Sequence, residues 1–312
     1  MIFFWQQRSL HHSKELLLFA ALTLPVLLGL QQCRAGVYLP IEGFDKTTNQ
    51  KLADFFERSQ LIEGRKVAIF DGDGTTMGQA PHYLADECLF EYAAGHPDRK
   101  PAVIKQMQQY SNVSLPYVQL RVKYLAGMSL TDVRNLGQSC FDRLYAPKVF
   151  KPMQSLTANL KRNGFEVWIV TASPEALYQQ FLSRAYDIPI TNIIGVRSVI
   201  RDGIVTDEIL QPVPQDHGKK EAIESFIQAR PQLAGGNSRG DKEMIEFSSD
   251  LKLIINPDTH IGHDQKESIA DYARRNGWLI ASLTDEPPLN FPAVSSAQYG
   301  IRINKSQSGH QP

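Results

Sequence analysis

Asp71 and Asp73 stand two residues apart in the run Asp71-Gly72-Asp73-Gly74-Thr75. Carboxylates paired at that spacing can attack an electrophile, exchange protons, or gather oxygen ligands around a hard cation. Three further groups suit the handling of anionic oxygens. They are Thr171 with Ala172 and Ser173, Lys219 in Gly218-Lys219-Lys220-Glu221, and Asn237 with Asp241 in Gly236-Asn237-Ser238-Arg239-Gly240-Asp241. Each has a bland reading when taken alone. Asp-Gly-Asp-Gly is turn chemistry, Thr171 suits a strand end, and Lys219 suits a solvated helix face. The first run also begins like a calcium loop, but His82 stands at the twelfth position, where that loop needs Glu.

Position separates these groups from the bland readings. Residues 66–70 (KVAIF) and 165–170 (FEVWIV) read as short buried strands, and Asp71 and Thr171 follow them directly. Residues 193–196, 251–255 and 278–282 read as further strands, and 198–209 as a hairpin turning at Gly203. A short apolar segment at 232–234 runs into Asn237, and Lys219 opens a helix expected over 219–229. Helices are also expected over 46–59, 154–163, 174–186 and 268–276. This alternation predicts an α/β fold: a doubly wound, Rossmann-like parallel sheet covered on both faces. Ligands bind at the carboxyl edge of such sheets, where all these groups would converge. Residues 81–151 break the alternation. They read as four or five helices punctuated by Gly and Pro, with no strand, too long for one crossover. The expected organisation is a core of 36–80 and 152–304 with a helical cap inserted at 81–151.

At this level of detail the chain resembles the haloacid dehalogenase superfamily, in its phosphoserine-phosphatase-like branch with a helical cap. Asp71-Gly72-Asp73-Gly74-Thr75 is similar to the first motif of that superfamily, D-x-D-x-T. Thr171 closing a hydrophobic strand is similar to the second, Lys219 to the third, and residues 236–241 to the fourth, normally G-D-x-x-x-D. The layout also distantly resembles exported phosphocholine phosphatases. The resemblance implies a phosphomonoesterase acting on a small phosphorylated molecule. Asp71 would be the nucleophile and Asp73 the general acid and base. Lys219 would neutralise both nucleophile and phosphate, and Thr171, Ala172 and Ser173 would hold the phosphoryl group with it. It also implies Mg2+, held by Asp71, Asp73 through its main-chain carbonyl, and Asn237, with Asp241 on a metal-bound water. Asn237 departs from the usual Asp, which implies weaker metal binding and admits an alternative: a non-catalytic or weakly active exported binding protein of the same fold. Asp73 speaks against the carbon–halogen and carbon–phosphorus hydrolases of the superfamily, which lack a second Asp as acid and base.

The rest of the sequence narrows partners and compartment. Lys plus Arg and Asp plus Glu are both 33, so no basic footprint for nucleic acid exists. Residues 16–30 are apolar and uncharged, preceded by Arg8 and Lys14 and followed by Ala35. This is the pattern of a secretory leader over 1–35. The alternative is an uncleaved anchor, for which the run is short and Pro25 awkward. The expectation is a periplasmic or secreted protein with no stable membrane insertion once the leader is removed. The polar tail at 305–312 is expected to be disordered, and no feature points to an oligomeric state. Cys88 and Cys140 fall in the cap, where they are either bridged or buried thiols. Six cap tyrosines (Tyr83, Tyr92, Tyr110, Tyr117, Tyr124, Tyr145) either pack the cap or line a pocket for a ring or a quaternary ammonium. Asp86, Glu87 and Glu91 are either a charged helix face or partners for a substrate amine.

Overall fold

The apolar runs read from the sequence are strands of one sheet. The computed structural model describes residues 38–80, 82–261 and 265–285. The expected leader and tail, Pro81 and His263 lie outside the described residues. The chain enters through α1 (Lys46–Ser59), whose N-terminus Asp45 caps, and β1 (Lys66–Phe70). Four helices follow: α2 (Leu84–Gly95), α3 (Pro101–Met107), α4 (Leu115–Leu125) and α5 (Leu130–Cys140). Then come α6 (Lys151–Arg162), β2 (Phe165–Pro174), α7 (Glu175–Tyr186), β3 (Ile193–Val196), β4 (Ser198–Arg201) and β5 (Ile204–Ile209). The last third contributes α8 (His217–Ala222), β6 (Leu233–Gly236), α9 (Lys242–Glu246), β7 (Leu251–Ile255), α10 (Ile269–Arg275) and β8 (Leu279–Ala281).

Six strands pair in the order β3-β2-β1-β6-β7-β8, and every pairing is parallel. β1 is central, and Val67, Ala68, Ile69 and Phe70 are all buried, which is why the run carries no polar residue on either face. From β1 the chain steps to β2 and β3 on one side, then crosses back to β6 on the other. The order therefore reverses beside β1, and the crevice of such a sheet opens at that point. Two elements differ from the sequence reading. β2 runs past Val170 to Pro174, because a register shift against β3 keeps Thr171–Ser173 extended. The helix expected over 219–229 is α8 followed by a wide turn at Ile223–Ile227.

The helices between β1 and β2 belong to the same compact unit as the sheet. Their two linkers pair with each other: Gly78 N donates to Lys148 O at 2.9 Å, and Phe150 N to Thr76 O at 3.1 Å. Asp285, beyond β8, accepts from Gln79 N at 2.8 Å, Ala80 N at 2.9 Å and Lys148 Nζ at 2.6 Å, so it clamps both linkers. The β4–β5 hairpin holds the far end. Gly127 N donates to Val205 O at 2.7 Å, Val205 N to Met128 O at 2.9 Å, and Leu130 N to Gly203 O at 2.8 Å. α5 lies directly on α7, since a Cβ on Gly137 would sit 1.9 Å from Leu177 O. Cys88 and Cys140 are bridged, with Cα atoms 5.8 Å apart, and join α2 to α5.

Candidate active site

Asp71 follows β1 without a break, and its N–H still donates to Gly235 O at 2.9 Å. The chain then turns tightly, with Gly72 O accepting from Thr76 N at 2.9 Å and Thr76 Oγ1 at 2.8 Å. Gly74 has φ +82°, and a Cβ there would fall 2.2 Å from Asn237 Nδ2. Only glycine allows both that conformation and that approach. Thr75 Oγ1 donates to Asn237 Oδ1 at 3.2 Å. The first and fourth sequence groups are thus pressed together across the switch point.

Lys219 reaches in from α8. Its Nζ donates to Asp71 Oδ1 at 2.5 Å and to Asp241 Oδ1 at 2.6 Å. Asp241 Oδ2 accepts from Asn237 N at 3.0 Å, Ser238 N at 2.9 Å and Ser238 Oγ at 2.9 Å. Asp73 meets only neutral donors. Ser173 Oγ donates to its Oδ2 at 3.0 Å, and Tyr178 Oη lies 3.0 Å from Oδ1 and 2.9 Å from Oδ2. Thr171 is buried, and its Oγ1 accepts from Ser173 N at 3.2 Å. Asp71, Asp73, Thr171, Ala172, Ser173, Lys219 and Asn237 all line one cavity of about 530 Å³.

Charge is unbalanced on this wall. Asp71, Asp73 and Asp241 are all buried; the Lys219 ammonium bridges Asp71 and Asp241, and Asp73 is bonded by hydroxyls alone. Burial works against the Lys219 charge, but Asp241 and Asp71 outweigh it and hold the ammonium above its usual pKa. Burial raises the Asp71 carboxyl; Lys219 opposes this, while Asp241 and Asp73 add to it. Asp241 also suffers burial, yet Lys219 and its backbone donors bring it below the usual range. Burial raises Asp73 too, with Tyr178, Arg121 and Ser173 pulling the other way. Buried carboxylates in excess of cations are costly unless a further positive charge arrives. The oxygen donors at hand fit magnesium: the Asp71 carboxylate, the Asp73 main-chain carbonyl and the Asn237 amide oxygen. Among the described residues no cluster of three or more His, Cys, Asp or Glu could hold a metal. Asn237 and the Asp73 carbonyl would supply the ligands that carboxylates alone do not.

Asp241 holds Lys219 through Oδ1 and the turn at 237–238 through Oδ2. The Ser173 hydroxyl donates to Asp73, while Ser173 lines the cavity together with Thr171, Ala172 and Lys219. Several expectations are corrected by the geometry. In the insert, Asp86 and Glu87 are buried and are no charged helix face. Asp86 accepts from Asn112 Nδ2 at 3.1 Å, Tyr117 Oη at 3.0 Å and Arg121 Nε at 2.9 Å; Glu87 pairs with His82, and Glu91 with Arg143. None of the three presents an unpartnered carboxylate to a substrate amine. The Arg121 guanidinium lies 4.8 Å from the Tyr117 ring and 5.6 Å from the Tyr83 ring. Two of the six rings thus face a resident cation. Tyr117, Tyr124 and Tyr145 are core residues, and Tyr83 alone of the six lines the cavity.

Sequence reading passed over two residues that matter. Tyr178 sits among Leu177, Phe181 and Leu182 and reads as helix core. Arg121 reads as one solvated cation on α4, although it is buried and lines the cavity. The available signal was a polar group on an apolar helix face, which needs a buried partner.

A carboxylate at a strand end, a lysine bridging two aspartates and a turn packed onto Asn237 thus stand together at the carboxyl edge of the sheet. The family model for haloacid dehalogenase-like hydrolases matches residues 68–246, more than half of the chain, and the chain belongs to that family. Phosphoserine phosphatase SerB1 of Mycobacterium tuberculosis is 25% identical over 162 residues, 50% of this chain and 49% of that protein. The chain thus spans about half the length of the curated relatives it matches. A conserved protein of Anaerococcus prevotii superposes with a TM-score of 0.60 at 14% identity, covering 82% of this chain and 100% of that one. A protein of Bordetella pertussis superposes at 0.54 and 16% identity, covering 70% and 98%. These two likenesses establish the fold.

Proposed function

We propose that the protein is a magnesium-dependent phosphomonoesterase that hydrolyses a small organic phosphate through a phosphorylated Asp71. One observation carries the reading: two carboxylates at one strand end have opposite surroundings. Asp71 faces an ammonium at 2.5 Å, whereas Asp73 faces two neutral hydroxyls. Such a contrast divides a nucleophile from an acid. The relative named as a phosphoserine phosphatase supports a phosphate ester as substrate.

Magnesium held by Asp71, the Asp73 carbonyl and Asn237 would neutralise charge on the phosphoryl oxygens. Lys219 and the Thr171 hydroxyl hold those oxygens while an Asp71 oxygen bonds to phosphorus. As the bond to the leaving oxygen breaks, Asp73 gives that oxygen its proton and an alcohol departs. Asp73 then takes a proton from water as the water oxygen attacks phosphorus. The phosphorus–Asp71 bond breaks, and inorganic phosphate leaves with Asp71 restored. The leader pattern and the Cys88–Cys140 bridge support export to an oxidising compartment.

The test is turnover of p-nitrophenyl phosphate by the purified protein. Activity is expected with magnesium, is expected to vanish with EDTA, and is expected to return on adding magnesium. Trapping with beryllium fluoride should produce one 19F signal that Asp71→Asn removes. A wild type without turnover, or an Asp71→Asn protein with near-normal turnover, would reject the reading.

A further inference from the structure

We propose that Tyr178 is a positioning residue that fixes which oxygen of Asp73 faces the leaving group. The inference rests on the phosphomonoesterase reading above. Tyr178 lies in the first turns of α7, is fully buried, and packs its ring on Phe181 with centroids 5.0 Å apart. A phenol has one hydrogen to give and can also accept. Ala85 N, at the start of α2, donates to Tyr178 Oη at 3.0 Å. Ala85 belongs to the first turn of its helix, where N–H groups lack partners within the helix. With an N–H pointing at the oxygen from one side, the phenolic hydrogen is directed to the other, onto Asp73.

The two donors are not shared evenly. Ser173 Oγ reaches only Oδ2, at 3.0 Å, and Tyr178 Oη reaches Oδ2 at 2.9 Å and Oδ1 at 3.0 Å. Oδ2 therefore accepts twice. A carboxylic acid has one O–H, and its carbonyl oxygen is the better acceptor. The oxygen that accepts two hydrogen bonds is the carbonyl-like one, so Oδ1 carries the transferable proton and is the oxygen assigned to the leaving group. Because the hydroxyl is also pinned by α2, the orientation holds only while the helical insert is seated on the sheet. One phenol thus couples the seating of the insert to the readiness of the acid.

Tyr178→Phe keeps the ring and removes the hydroxyl. An alkyl phosphate such as glycerol 2-phosphate needs its leaving oxygen protonated, whereas p-nitrophenolate leaves readily without a proton. The expected result is a fall in kcat of about 10- to 100-fold on glycerol 2-phosphate, within the range of acid–base contributions. On p-nitrophenyl phosphate the loss should be under about 3-fold, with KM for both esters nearly unchanged. In an Asp73→Asn background the substitution should add nothing. Ser173→Ala should give a smaller split of the same sign, and this variant decides the matter if Tyr178→Phe does not fold. Equal losses on both esters, an effect confined to KM, or additivity with Asp73→Asn overturns the inference while leaving the phosphatase reading intact. A wild type that turns over neither ester overturns both.

Discussion

The two walls of the cavity treat buried charge in opposite ways. On the sheet wall, the ammonium of Lys219 bridges Asp71 and Asp241, and Asp73 is bonded only by the Ser173 and Tyr178 hydroxyls. On the insert wall, Asp86 receives Arg121, Tyr117 and Asn112 and closes its own account. Both walls are buried, so neither can rely on water to solvate its carboxylates. Where the fold supplies every donor, the cluster is scaffolding. Where it leaves carboxylates in excess, the balance comes from protonation or from a positive charge on what binds. Counting acidic residues would not distinguish the walls; counting their partners does.

Experiments can break that contrast from either side. The largest effect is expected for Asp71→Asn, with turnover lost to below detection and the melting temperature preserved, read by assay and thermal scan on one sample. Arg121→Met should strand the Asp86 carboxylate and cost about 3–5 kcal/mol of stability, as when one partner of a buried ion pair is removed. Urea denaturation checks this, and a cost under about 1 kcal/mol, the range of exposed pairs, would place Arg121 with the solvated cations. Reduction of Cys88–Cys140 should cost about 2–4 kcal/mol. It should show as faster amide exchange in α2 and α5, with the Lys219 contacts unchanged. The smallest effect is expected for Asn237→Asp, which adds a charge beside the cation position and should lower the half-saturating magnesium concentration several-fold. An unchanged titration would remove Asn237 from the ligand set.

The sheet was legible because its signals are local. KVAIF and FEVWIV are apolar on both faces, as strands buried between helix layers must be, and the polar groups that follow them mark the carboxyl edge. Asp71, Asp73, Thr171 and Lys219 all reach the one cavity predicted for them. The insert was less legible because its important contacts join residues far apart in sequence. Asp86 and Glu87 look like a solvated stretch of helix until Asn112, Tyr117 and Arg121 are folded over Asp86 and His82 meets Glu87. Tyr178 carries no local mark of its task, since a tyrosine between Leu177 and Phe181 is what a packed helix face requires. The end of β2 was misread for a related reason: Thr171-Ala172-Ser173 is polar enough to suggest a loop, and only pairing with β3 keeps it extended.

Asp285 ties the order of synthesis to the order of assembly. A chain growing from its amino end makes the insert and both its linkers long before it makes β8 and Asp285. The hairpin and the disulfide can already hold the helices by then, but Gln79, Ala80 and Lys148 still await their shared carboxylate. Leu283, which exchanges two hydrogen bonds with the side chain of Asn256 at 2.7 and 2.8 Å, arrives just before it. The contacts of Asp285 are therefore the last to join the linkers between the wall that bears Asp71 and the wall that bears Arg121. A nascent chain halted before residue 285 would carry all the residues of the cavity and still lack the carboxylate that fastens both linkers.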